Sequence, residues 1–182
     1  MIKNFNVIVI GAGAAGLMSA IEAGKRGRKV LLIDHAKKIG EKIRISGGGR
    51  CNFTNLNTDA SKFISKNSNF VISALNQYSH NDFISLIEKH NIKFHEKKLG
   101  QLFCDESAQQ IIDMLLLECE NANVILKKDI SITEIDKLDN GYKVIFEGKQ
   151  YLCESLIIAT GGLSIPKIGA SKFGYEIAKK FN

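Results

Sequence analysis

Six residues near the start, Gly11-Ala12-Gly13-Ala14-Ala15-Gly16, have the G-x-G-x-x-G spacing that a backbone uses to hold a pyrophosphate. In such a loop the first glycine allows a tight turn and the second lets the backbone approach the phosphates. The third lets the following helix pack closely on its strands. The spacing by itself is common, so its context decides. It follows the apolar run Asn6–Ile10 directly and opens Ala14–Arg26, a segment rich in Ala, Leu, Met and Ile. That arrangement points a helix N-terminus, with its free N–H groups and partial positive charge, at an anion. Asp34 closes the next apolar run, Lys29–Ile33. A carboxylate there accepts hydrogen bonds from ribose hydroxyls and disfavours a 2′-phosphate. Together these features indicate a dinucleotide-binding βαβ unit over residues 5–34.

NAD and FAD share their ADP half, so this unit discriminates poorly between them. A second glycine segment, Gly40-Glu41-Lys42-Ile43-Arg44-Ile45-Ser46-Gly47-Gly48-Gly49-Arg50-Cys51-Asn52, favours FAD. Three successive glycines expose backbone N–H groups, and Lys42, Arg44 and Arg50 add positive charge for a large anionic cofactor. A nicotinamide-only dehydrogenase, the alternative, leaves Gly47–Asn55 without a purpose. A flexible surface loop is the plain structural alternative.

The elements that must position these residues follow from hydrophobic period. Two runs, Val7–Ile10 and Leu156–Ala159, read as buried strands, and with helices between them they imply a parallel central sheet. Residues 36–57 show no period and are expected to form a cofactor loop. A helical region is expected over 68–91, with Asn81 capping its second helix, and Ser107–Cys119 is strongly amphipathic. Short alternating runs from about 123 to 153, with the turn Asn140-Gly141, predict a β-meander appended to the sheet. Leu156–Ala159 then leads into Thr160-Gly161-Gly162, and a helix is expected over Ser171–Phe181. The fold class is thus α/β, a Rossmann-type FAD-binding fold with a small β appendage.

Composition is that of a globular chain: of 182 residues, 45% are apolar and 24% charged. No apolar run approaches the ~20 residues that cross a bilayer, and no secretory leader is evident, so the expected location is cytoplasmic. The four cysteines are scattered without C-x-x-C or histidine pairs, which gives no zinc site and no disulfide framework. A net charge of +6 is spread over single lysines and pairs, a solvated basic surface that also suits an anionic dinucleotide.

At Gly11–Gly16, Asp34, Ser46–Asn55, Gly100–Asp105, Ala159–Pro166 and Gly169–Tyr175 the chain resembles the BaiN-like, or aminoacetone-oxidase-like, NAD(P)/FAD-dependent oxidoreductases. The resemblance implies an extended FAD. Gly11, Gly13, Ala15 and Gly16 would contact its pyrophosphate and Asp34 its ribose. Lys42, Gly49, Arg50, Cys51 and Asn52 would lie along the phosphates towards the flavin. Ile130 would meet adenine through its backbone, and Thr160, Gly161 and Gly162 would form a second nucleotide-contacting turn within 156–170. It further implies NAD(P)H or a small organic substrate as electron donor. Members of that family are longer. The expectation is therefore an N-terminal portion, residues 1–182, without the substrate domain and the closing flavin-binding segment. A split gene with a second polypeptide, or a remnant without catalysis, would account for that.

No catalytic acid or base is assigned. Arg50 beside Cys51 would favour a thiolate, but no resolving cysteine is near, and Cys51 is read as packed or phosphate-side. His80, His90 and His95 are read as surface or capping residues, and Cys104-Asp105 as structural. A flavin-dependent RNA-modifying protein fits the basic charge. It requires salt-sensitive RNA binding, for which the sequence offers no aromatic platform. The expected partner is a small-molecule substrate, with neither nucleic acid nor membrane.

Overall fold

Val7–Ile10 and Val30–Ile33 are unbroken apolar runs rich in β-branched residues, and they lie side by side as parallel strands, Val7 opposite Val30 and Ile10 opposite Ile33. The computed structural model describes residues 2–164 and 171–181. Its elements, in order, are β1 (Ile2–Ile10), α1 (Ala14–Lys25), β2 (Val30–Ile33), α2 (Glu41–Ile45), β3 (Asn52–Asn55), α3 (Ile72–Gln77) and α4 (His80–Lys89). There follow β4 (Phe94–Glu96), β5 (Gln101–Cys104), α5 (Gln109–Asn121), β6 (Ile125–Lys127), β7 (Ile132–Leu138), β8 (Gly141–Phe146), β9 (Lys149–Ile158) and α6 (Phe173–Lys180). The chain divides into two units, Met1–Lys42 with Leu115–Asn182, and Ile43–Met114. Among the described residues no helix is long and apolar enough to cross a membrane.

The first unit is built on one sheet of order β6-β2-β1-β9-β8-β7. Strands β6, β2, β1 and β9 are parallel, while β8 and β7 continue the sheet antiparallel. One face buries Ile8, Ile10, Leu31, Ile33, Val144, Phe146 and Tyr151, and Phe173, Ile177 and Phe181 of the α6 region pack against that core. The rings of Phe146 and Tyr151 stack with centroids 4.0 Å apart. Helix α1 buries Leu17, Ala20 and Ile21.

The expected β appendage is therefore part of the main sheet. The last run of the expected meander, Gln150–Cys153, and the expected strand Leu156–Ala159 form one strand, β9, as far as Ile158; it pairs with β1 along its length and with β8 over its first half. The polar pair Glu154-Ser155 suggests a break, yet both residues are exposed while the strand continues, and Asn6 donates to the Glu154 carboxylate at 2.7 Å. Strand β6 pairs with β2 and takes no part in the meander.

The second unit holds the antiparallel sheet β3-β5-β4 with α3 and α4. The region expected to be a structureless loop, 36–57, contains α2, a 3₁₀ turn (Ser46–Gly49) and β3. Hydrophobic period cannot reveal such short elements. Helix α4 starts one residue before Asn81 and is capped by Ser79, whose hydroxyl accepts from the Asp82 N–H while the Asp82 carboxylate accepts from the Ser79 N–H. The S-x-x-D pattern supplies both partners, which Asn81 could not.

Candidate functional site

In the first unit the glycine loop joins β1 to α1 at the carboxyl ends of the parallel strands, where open α/β sheets hold ligands. Gly11 has φ +103°, and a Cβ there would lie 2.5 Å from the carbonyl oxygen of Ala159. A Cβ on Gly16 would overlap the carbonyl oxygen of Gly11. Both glycines are thus fixed by protein packing. Gly13 differs: its backbone is extended (φ −83°, ψ −170°) and a Cβ would meet no atom within 4 Å. Space kept open beside a residue that needs no special φ fits an absent group that must touch the backbone. Helix α1 has no side-chain cap and no acid in its first turn, so its first N–H groups are not bonded by a cap. Ala15 lies exposed on that turn.

Asp34 stands just past β2, its side chain 12% exposed. Its carboxylate accepts the N–H of Ala12 at 2.6 Å and of Ala36 at 2.7 Å, and His35 Nδ1 lies 3.5 Å away. The Ala12 bond ties the acid to the glycine loop. A carboxylate offers about four lone-pair positions, so two remain for ribose hydroxyls. Ile130 lies just before β7, and its N–H donates to the Asp34 carbonyl at 3.0 Å. Lys42 Nζ donates to the Gly162 carbonyl at 3.3 Å and approaches Ser164 Oγ at 3.2 Å, and Gly161 has φ +74°. Thr160 Oγ1 would lie 2.8 Å from a Cβ on Gly174. The glycine loop, Asp34, Ile130, Lys42 and Thr160–Gly162 are thus gathered within one unit. Residues 165–170 of the expected second turn lie outside the described residues.

The second unit carries Gly49, Arg50, Cys51 and Asn52. Gly47, Gly48 and Gly49 are all left-handed, with φ of 59°, 68° and 89°, and Cys51 follows at φ 52°. Such a run is open to glycine and strained for other residues. The turn is closed by the Cys51 N–H on the Ser46 carbonyl (3.1 Å) and clipped to the sheet by the Cys104 N–H on the Arg50 carbonyl (2.9 Å). Ala108 N–H donates to the Gly49 carbonyl at 2.7 Å. With its amide nitrogen facing the carbonyls of Thr54 and Leu102 at 3.2 Å, Asn52 joins β3 to β5. A Cβ on Gly47 would strike the Phe103 ring and the Asn52 nitrogen at 2.7 Å.

Burial pushes the Cys51 thiol up, and the Ser46 hydrogen bond only partly offsets it. The thiolate that Arg50 would favour is thus opposed by desolvation. Burial likewise raises Cys104 to about 12 and Cys119 and Cys153 to about 11. The Arg44 guanidinium donates to the Gln109 side-chain oxygen, which fixes its orientation and leaves its charge in place. Sequence reasoning missed the Asp34–Ala12 bond and the pair His95 Nδ1–Asp105 Oδ1 at 2.7 Å, whose imidazole stacks on Phe103.

Comparison with known proteins agrees with this architecture. Residues 5–182 match the family model described as HI0933-like protein Rossmann domain. A ribosomal RNA dihydrouridine synthase of Escherichia coli (strain K12) is 52% identical over 179 residues, which cover 98% of this chain and 45% of that protein. A 3-dehydro-bile acid delta(4,6)-reductase of Clostridium scindens is 24% identical over 174 residues, 94% of this chain and 42% of that protein. The chain thus spans less than half the length of the curated relatives it matches. Halogenase PltM, solved in complex with phloroglucinol and FAD, shares the fold with TM-score 0.53 and 20% identity over 88% of this chain and 35% of its own. The resemblance to BaiN-like oxidoreductases therefore holds for the Rossmann fold, while far higher identity lies with the ribosomal RNA dihydrouridine synthase.

Proposed function

The chain belongs to the HI0933-like Rossmann family, and from that premise we propose that it is the cofactor-binding part of an FAD-dependent enzyme that reduces uridine in ribosomal RNA to dihydrouridine. The 52% identity to a protein of that name carries the reading, and the open space at Gly13 supports the cofactor. It departs from the expectation of a small-molecule substrate without nucleic acid.

FAD, when bound, supplies the two-electron chemistry that saturates the C5=C6 bond of uracil. The chain's own residues bind and orient it. N–H groups at the start of α1 meet the pyrophosphate, with Gly13 admitting it, and Asp34, held by Ala12 and Ala36, accepts from the adenosine ribose. Ile130 would flank the adenine. Lys42 and Thr160–Gly162 would face the phosphates. Each uracil consumes two electrons and two protons, so an outside reductant is needed, and NAD(P)H keeps that role in this proposal. The remainder of a longer polypeptide, or a second one, would complete the substrate side.

The test is a deletion of the gene in its host, with ribosomal RNA digested to nucleosides and dihydrouridine measured by mass spectrometry. Loss of the nucleoside, restored by the wild-type gene and not by a Gly13→Glu copy, is expected. Unchanged dihydrouridine would overturn the proposal.

A further inference from the structure

The sequence shows no aromatic platform, but the structure brings aromatic rings to the surface. Residues 61–70 are exposed without interruption, among them Phe63, Ile64 and Phe70, the last 74% exposed. Tyr78, at the end of α3, is exposed too, and α3 itself buries no residue. Single apolar side chains in water are ordinary, but a run of this density marks a contact surface.

Charge selects the occupant. From Ala60 to Asn81 the chain carries Lys62, Lys66 and His80 and no Asp or Glu. The bordering Asp59 carboxylate is occupied locally, accepting the Ser61 N–H at 2.8 Å and the Ser61 hydroxyl, with Lys62 Nζ 3.9 Å away. Between the rings stand Ser65, Asn67, Ser68, Asn69 and Gln77, uncharged groups that donate and accept hydrogen bonds. Rings on a basic, acid-free segment suit a strand whose phosphates are anionic and whose bases stack.

We infer that Ala60–Tyr78 is a docking surface for single-stranded RNA, with bases stacked on Phe63, Phe70 and Tyr78 and phosphates against Lys66 and, once it leaves Asp59, Lys62. This rests on the proposed function and assigns the part of the chain that holds its substrate strand. Uridine in a loop is presented unpaired, as sequence-specific RNA recognition generally requires.

The experiment loads the purified protein with FAD and titrates it into a fluorescein-labelled oligouridylate of about 12 nucleotides, read by polarisation across a salt series. Phe63→Ala with Phe70→Ala is expected to weaken binding roughly tenfold or more. Lys66→Glu is expected to lower the salt slope by about 1. Both variants should keep the wild-type circular dichroism and FAD content. Three results overturn the inference. These are no binding by wild type, equal binding by the variants, or variants that alter sedimentation while RNA affinity holds, which would make the surface a protein contact. Dihydrouridine measured alongside separates the two claims. RNA bound through these rings without the modified nucleoside defeats the function, whereas the nucleoside formed with RNA affinity insensitive to the rings defeats only the docking surface.

Discussion

The two glycine loops use the same residue for different reasons. In Gly11–Gly16 the outer glycines are held by packing and the middle one is not: Gly11 and Gly16 have backbone atoms where a Cβ would be, while Gly13 faces open space. In Gly47–Gly49 every glycine is left-handed, whatever lies beside it. The first loop is thus a fixed frame around one position that packing leaves open. The second is a conformation in its own right, which only glycine adopts cheaply. A motif read as letters merges these roles, and geometry separates them.

The comparison predicts graded costs. Gly16→Ala drives a methyl group into the Gly11 carbonyl and should destabilise the apoprotein by about 3 kcal/mol or more, read from urea unfolding. Gly47→Ala combines left-handed strain with a clash on Phe103 and should cost about 2–3 kcal/mol. Gly48→Ala, with the strain but open space, should cost about 1–2 kcal/mol. Equal effects at 47 and 48 would mean that packing on Phe103 is irrelevant. Asp34→Asn leaves one acceptor oxygen for two N–H groups and should cost about 1–2 kcal/mol while weakening FAD retention.

A separate effect appears at high pH and touches both units. Cys119 and Cys153 in one and Cys104 in the other titrate at about 11, 11 and 12, against an ordinary 9.0. Folding favours the protonated thiol, so this contribution is complete below about pH 9 and is lost as pH rises towards 11 and 12. Urea midpoints should fall over that range, and the native thiols should resist alkylation at pH 8. Rapid labelling there would contradict their burial.

Much of the first unit was legible because its signals are long and redundant. Two apolar strands, a glycine spacing and an acid at the end of β2 all agree, and the structure joins them through the Ala12–Asp34 bond. The strand β9 was misread because Glu154-Ser155, exposed inside a strand, looks like a turn. In the second unit, α2 and β3 are too short for a period to reveal. The left-handed run is visible as three glycines but not as a closed turn, since its bonds reach Cys104 and Ala108 far along the chain. Aromatic exposure at Phe63 and Phe70 is a property of packing, which spacing does not encode.

Gly13 is the one glycine of its loop that neither packing nor backbone conformation requires. The direct measurement is an absorbance spectrum of wild type and Gly13→Glu after incubation with FAD and desalting, with unfolding of both apoproteins alongside. The variant should lose the flavin bands while its apoprotein stability falls by no more than about 1 kcal/mol, the scale of an N-cap change. Flavin bands retained by Gly13→Glu would contradict the claim that this position is kept open for the cofactor.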